Sequence, residues 1–471
     1  MQFVSWRGFA DDVACAPGAI VQRIALLGVL LTLAPPAWAV PSFARQTGYT
    51  CSQCHSTPPE LTQEGRDFKL NGYTLKQAPS ITAPARDKST ELDLLTAVPV
   101  SGWFATSLTA THAAQPNTQN GSVQFPQALS LFLAGAWSSH VGSFVQITYD
   151  AQADHFHMDN TDIRYANHTL LFGKDLHYGV SFNNNPTVED LWNSTPAWGF
   201  PFVATNVAPT PSAAAIISGP LAQDVAGIGV YGLWMNHVYA ATTIYRSDHL
   251  GSAQPIAGTD SQFNIHGVAP YWRVAWQHPS KNNYLEVGTY GLHVESTPKG
   301  VSGLSDRYTD LAVDVQYDRT LPGVAADFVC QMPPCNDVLS LRGTYVHESS
   351  MLDATFAANG ATQSAHHLDS VQANAEYHWG NRVSFAGGWF SVSSTSDPLL
   401  YPAASVTGSV TGTPESNGYM LNLSWWPAMN IDIAAQYTGY VKFNGGSTNY
   451  DGAGRNASGN NSIYLIAQFL F

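Results

Sequence analysis

The chain reads as an all-β protein, a sixteen-stranded antiparallel transmembrane β-barrel preceded by a small α-helical module. Three observations predict this. Charged residues are only 11% of the chain, against a usual value of about 25%. Aromatics reach 12% and there are 39 glycines, yet beyond the N-terminus no segment has the roughly 20 apolar residues of a spanning helix. From about residue 98 onward the apolar residues recur at period 2, in segments close to the roughly 9–11 residues of a tilted membrane strand.

The first element is an export signal over 1–39. Arg23 precedes an apolar run from Ile24 to Ala34, and Ala37-Trp38-Ala39 supplies a small-x-small cleavage site. The run is short for a retained membrane anchor. Cleavage would remove Arg7, Arg23, Asp11 and Asp12, two charges of each sign, so the net charge stays at −14. That acidity argues against a nucleic-acid partner. At about pH 2 the carboxylates would be neutral and the histidines charged, a reversal that a charge-poor barrel tolerates.

Residues 40–76 form the second element. Here stands Cys51-Ser52-Gln53-Cys54-His55, the attachment signal of a c-type haem. Positions i and i+3 share a helix face, so Cys51 and Cys54 can each form a thioether to one porphyrin, and His55 can ligate the iron. Pro58 and Pro59 end this helix. A second short helix follows from Leu61, stopped by Asn71-Gly72. So small a segment cannot bury a core of its own. One covalent haem would be that core, with Phe43, Tyr49, Phe68 and Tyr73 around it, although plain packing equally explains these rings. No other His and no Met lies between Val40 and Lys76. A sixth iron ligand, if there is one, must then come from elsewhere; Met332, Met235 and Met429 are candidates predicted near the periplasmic side. Lys69 or Lys76 would have to lose a proton first.

The run Pro41-Ser42-Phe43-Ala44-Arg45-Gln46-Thr47-Gly48-Tyr49, the haem pentapeptide, and Gly65-Arg66-Asp67-Phe68-Lys69-Leu70-Asn71-Gly72-Tyr73 together resemble the fused monohaem cytochrome c–porin family of bacterial outer-membrane iron(II) oxidases. The resemblance implies an oxidoreductase of the iron:cytochrome c or iron:rusticyanin type. It implies extracellular iron(II) as donor and a periplasmic cytochrome c or blue-copper protein as acceptor. The barrel itself calls for outer-membrane lipid around it, and its even strand number places the haem module on the periplasmic side or within the lumen. The same architecture allows an alternative, a porin for small solutes or ions with a haem-bearing plug or redox gate.

A linker with Pro79 and Pro84 covers 77–96, and the barrel spans 97–471. Its strands are predicted at 98–111, 125–137, 141–149, 160–172, 174–184, 225–235, 236–246, 262–277, 283–294, 306–318, 337–349, 366–378, 382–393, 417–427, 430–443 and 461–471. In the last, Ile463, Leu465, Ala467, Phe469 and Phe471 alternate as a lipid-facing row. A C-terminal Phe resembles the assembly signal of such barrels. With Phe471 at the periplasmic rim, the long connections, 185–224 among them, fall outside and the short turns inside. The exception is 319–336, long yet periplasmic.

Two further groups stand out. Cys330 and Cys335, in Cys-Gln-Met-Pro-Pro-Cys, predict a local disulfide in an oxidising compartment; together with Cys51 and Cys54 they could also supply a four-ligand zinc site, although the adjacent His55 favours haem. His155, His157 and Asp159 alternate on a predicted outer loop, where they could converge on iron(II), or simply be solvated. No Walker loop, Gly-x-Ser-x-Gly elbow or His-Glu-x-x-His is present.

Overall fold

The computed structural model describes residues 40–56, 59–74, 80–83, 92–95, 98–151, 154–192, 200–201, 203–248, 263–298, 303–323 and 336–471. The predicted signal peptide, Lys76, Met332 and the Cys330–Cys335 pair lie outside them.

Three short helices open the chain: α1 (Pro41–Thr47), α2 (Cys51–Cys54) and α3 (Gln63–Leu70). Within the predicted linker, β1 (Ser80–Ala83) and β2 (Leu92–Leu95) pair as a small antiparallel hairpin, an element that the Pro-rich composition did not announce. The wall begins with β3 (Val100–Thr111), β4 (Ser122–Ala136), β5 (Val141–Asp150), β6 (His155–Leu171), β7 (Lys174–Asn183), β8 (Val225–Trp234) and β9 (Val238–Ser247). After the three-residue β10 (Phe263–Ile265) come β11 (Ala269–Pro279), β12 (Asn283–Pro298), β13 (Asp306–Leu321), β14 (Asp337–Met351) and β15 (Ala365–Trp379). It ends with β16 (Val383–Ser394), β17 (Ser416–Ala428), β18 (Ile431–Lys442) and β19 (Ser462–Leu470).

Among the described residues these make a closed antiparallel barrel of sixteen long strands, each paired with its neighbour, with β10 added beside the outer part of β12. β9 pairs with β11, and β19 pairs back to β3. Closure leaves no strand edge, which is what a sheet surrounded by lipid requires. At the seam, the Gly102 and Phe471 main chains exchange two hydrogen bonds of 2.7 and 2.9 Å.

Period-2 side-chain alternation separates the two faces. On β11, Tyr271 and Arg273 are buried inward while Trp272, Val274 and Trp276 face out. On β19, Ile463, Leu465, Phe469 and Phe471 face out, as expected from the sequence, and Tyr464 and Ile466 face in. An outward apolar belt with an inward polar wall is the pattern of a membrane barrel. The turns at 137–140, 172–173, 235–237, 280–282, 380–382 and 429–430 are short, and they share one end with both termini of the barrel. The other end carries the long connections. β13 ends and β14 begins at the short-turn end.

One long connection departs from its expected place. Residues 184–224 start and finish at the long-connection end, but described residues between them fold into the lumen. The Trp192 indole donates to the Tyr284 hydroxyl, and Gln436 Nε2 donates to Val203 O at 3.3 Å. The backbone N–H groups of Ile216 and Ile217 donate to Glu348 and Asp310 at 2.7 and 2.8 Å. The reason is burial: Ile216, Ile217 and Leu221 pack against Tyr245, Tyr271 and Tyr290 of the inner wall, which removes apolar surface from water.

The helical segment docks into the lumen from the short-turn end. Gln46 spans β4, donating to Ala134 O at 3.2 Å and accepting from Ala136 N at 3.0 Å. Tyr73 donates to Asp162 at 2.6 Å, and Tyr231 donates to Leu70 O at 2.9 Å. Lys69 Nζ donates to Asp190 O at 2.7 Å. The wall makes room: a Cβ on Gly142 would stand 2.3 Å from Gly72 O.

Arg273 sits where wall and loop meet, between Asp190 (3.3 Å), Glu286 (2.9 Å) and Asp314 (2.8 Å). Removing one partner of a buried ionic group typically costs about 3–5 kcal/mol. Arg273→Met should therefore lower stability by about that much and release the inward loop. Denaturant unfolding of the refolded protein, with Trp192 as fluorescent reporter, measures both.

Candidate functional site

The pentapeptide takes the conformation that its residues dictate. α2 is the four-residue helix Cys51–Cys54, and Gln53 Oε1 accepts from the Thr50 N–H at 2.6 Å, one half of a capping box. His55 ends it, its N–H donating to Cys51 O at 2.8 Å. α3 then crosses closely: Thr62 N–H donates to Cys54 O at 3.0 Å. Gly65 makes the crossing possible, since a Cβ there would lie 2.2 Å from the same carbonyl oxygen.

His55 is oriented by its neighbour Glu60. The imidazole Nδ1 is 3.1 Å from Glu60 O, so Nδ1 carries the proton and Nε2 is left with its lone pair. Burial pushes the imidazole down to about 4, which keeps it neutral at pH values above that. Burial, then the adjacent Cys51 and Glu64, push the Cys54 thiol up to about 12. A neutral S–H is the group that adds across a porphyrin vinyl to give a thioether.

Cys51, Cys54 and His55 all border one cavity of about 550 Å³. Its near wall is the helical segment, including Phe43, Tyr49, Phe68 and Tyr73. Phe43 meets Phe68 edge-on at 5.0 Å and stacks on Tyr73 at 5.5 Å. The far side is the barrel, with Trp103, Phe132, Phe144, Trp426 and Met429, and the inward loop contributes Pro201 and Val203. A large planar apolar group with two attachment points and one axial nitrogen fits this lining. Cys51, His55, Trp426 and Met429 also border a second cavity of about 480 Å³, which reaches the short turns at Ser280–Asn282 and Gly380–Asn381.

The loop carrying Glu60 is anchored to the wall by charge. The Arg342 guanidinium pairs with Glu60. His378 Nε2 lies 3.7 Å from Glu60 and 3.5 Å from Glu376. Among the described residues, Glu60, Glu376 and His378 are a set of potential ligand atoms all within 4.8 Å of one another. Their separation in the chain hid this grouping from the sequence. Arg66 extends the anchor, donating to Leu61 O at 2.8 Å and lying 3.7 Å from Asp318.

The structure sorts the other expected site residues. Met429 borders the cavity, whereas Met235 is exposed in the turn after β8 and is not part of its lining. The three surface iron(II) candidates are not gathered into one site. His155 and His157 begin β6 with rings 6.1 Å apart. Asp159 instead turns to Thr148 Oγ1 at 2.9 Å and Gln223 Nε2 at 3.3 Å. A β-bulge opposite Gln146 places Asp159 and Asn160 on the lining of the main cavity.

No protein-family model and no curated protein matches the chain. Among solved structures it is similar to an anion-selective porin from Comamonas acidovorans at 10% identity, covering 79% of this chain and 98% of that one, with a TM-score of 0.44. It is also similar to the outer-membrane channel DcaP of Acinetobacter baumannii, at 10% identity over 79% and 96% with a TM-score of 0.42. OmpT of Vibrio cholerae gives 8% over 79% and 96% with a TM-score of 0.40.

Gly65→Ala tests the helix crossing. The added methyl must displace α2 from α3, so, if Cys51 and Cys54 carry a covalent haem, the ratio of that haem to protein should drop at least several-fold while the barrel still assembles. A haem-stained denaturing gel beside the unboiled migration shift of the folded barrel reads the two separately.

Proposed function

We propose that this protein is a c-type cytochrome of the bacterial outer membrane, which takes single electrons from extracellular iron(II) and delivers them to a periplasmic cytochrome c or blue-copper protein. The observation that carries this reading is that two thiols and one neutral imidazole open together onto an aromatic-walled cavity inside a membrane barrel. A bound haem supplies a one-electron iron couple in that cavity. Cys51 and Cys54 would hold it through thioethers, and the His55 Nε2 lone pair would ligate it. Glu60 O fixes the tautomer and tilt of that imidazole, as outer partners of ligating histidines generally do.

The remaining residues insulate and position. Phe43, Phe68, Tyr73, Trp103, Phe132 and Phe144 give the cavity an apolar wall beside its polar residues. The second cavity runs from the motif to the short turns, the side on which a soluble acceptor would dock. Asp159 and Asn160 face the cavity from the outer end, where the donor arrives. Iron(II) is oxidised outside and its insoluble product stays there, since only the electron crosses.

A porin with a redox-gated plug is the competing reading. Here the helical segment and the inward loop both lie in the lumen and are tied to its wall by ion pairs, which narrows any path for solutes. Purified haem-loaded protein in liposomes should show a reduced-haem spectrum on adding iron(II) at acid pH. It should also show little conductance in a planar bilayer. Cys51→Ala with Cys54→Ala should abolish both the haem stain and the spectral change. Absent haem reduction together with open-channel conductance would overturn the proposal in favour of the porin.

A further inference from the structure

Resting on the haem reading above, we propose that Met429, in the β17–β18 turn of the barrel, is the second axial ligand of the iron. The helical segment brings one strong ligand, His55, and contains no other histidine and no methionine from Val40 to Lys76. A second ligand, where the iron has one, would come from what borders the cavity. Among the described residues, Met429 is the methionine on that lining, and it borders both cavities that touch His55.

Most of its competitors are engaged elsewhere: His378, which borders the second cavity, has Nε2 3.7 Å from Glu60 and 3.5 Å from Glu376. Lys69 Nζ donates to Asp190 O at 2.7 Å. The Tyr73 hydroxyl donates to Asp162 at 2.6 Å. Asp432 accepts from Gln468 at 2.8 Å through Oδ2, its Oδ1 having no hydrogen-bond partner among the described residues, and Asp159 accepts from Thr148 and Gln223. These oxygens are hard donors, which favour iron(III). A thioether is soft, favours iron(II) and raises the potential, the direction an acceptor of electrons from iron(II) needs.

The turn that carries Met429 is held on both sides. Arg382 donates to Trp426 O at 3.2 Å and to Pro427 O at 2.8 Å. Asn430 Nδ2 donates to Leu470 O at 3.0 Å, and Leu470 N–H donates to Asn430 O at 2.9 Å. Met429 thus rides on a fixed two-residue connection beside the closing strand, the rigid support that a ligand-bearing position needs. Ligation from the barrel would complete the iron only when the helical segment is docked.

The test uses the full-length haem-loaded protein. Wild type should show the near-red thioether-to-iron(III) charge-transfer band when oxidised. Met429→Leu should keep full covalent haem, because Cys51, Cys54 and His55 are untouched, but lose that band and shift its reduction potential downward. Met429→His should restore a low-spin spectrum without the band. Met235→Leu should match wild type. A wild type lacking the band, or a Met429→Leu protein that keeps both band and potential, overturns the ligand assignment. A protein with the band that iron(II) fails to reduce leaves the assignment standing and sinks the donor, whereas a protein without covalent haem sinks both.

Discussion

Charge buried inside the barrel has to be matched from inside the barrel, and the rest of the structure follows from that. The inner wall places Asp162, Arg164, Arg273, Glu286, Asp314 and Arg342 where almost no water reaches them. An isolated charge in such a place is very costly. Part of the matching is within the wall, and part comes from two segments that are not strands. The helical segment contributes Glu60 to Arg342, Tyr73 to Asp162, and the Lys69 carbonyl to Arg164. The inward loop contributes Asp190 to Arg273. Arg164 itself pairs with Asp162 at 2.7 Å and lies over the Tyr231 ring. Plug, loop and wall are therefore one electrostatic unit, and the position of the pentapeptide in the lumen is set by that unit rather than by the hydrophobic packing of three short helices.

This arrangement explains how a segment too small to bury a core can present an ordered site. Glu60 joins the two levels. Its side chain is tied to the wall, and its carbonyl oxygen holds the His55 imidazole. Any shift of the segment relative to β14 would tilt the imidazole. The aromatic trio of Phe43, Phe68 and Tyr73 serves packing and cavity lining at once. The two readings of these rings that the sequence left open are thus not exclusive.

Local patterns were legible before folding. The period-2 alternation located most long strands to within a few residues, because lipid on one face and polar lumen on the other enforce it along the strand; it began β6 five residues late and merged β10 and β11 into one strand at 262–277. The helix stop at Asn71-Gly72 was legible because Gly72 adopts a positive φ of 66° just past α3. What misled was contact between distant segments. The 184–224 connection counts as an outer loop by length and strand parity, and nothing local shows that Ile216, Ile217 and Leu221 find an apolar patch on the inner wall. His155, His157 and Asp159 alternate as a ligand set should, yet Asp159 is claimed by Thr148 on the neighbouring strand and by Gln223 from the loop.

By itself, then, the sequence determined the barrel, its strand number, its separation into a long-connection end and a short-turn end, and the Cys51-Ser52-Gln53-Cys54-His55 motif. Each depends on residues close together in the chain, through strand alternation, turn length or the i, i+3 face of one helical turn. Only the tertiary structure decided that the segment lies in the lumen, that Glu60 meets Arg342 and His378, and that Met429 rather than Met235 borders the cavity. Met235 and Met429 occupy similar short turns at the same end of the barrel. They differ in which strands the closed sheet sets beside the docked segment, and that depends on closure around the whole circumference, which no local pattern records.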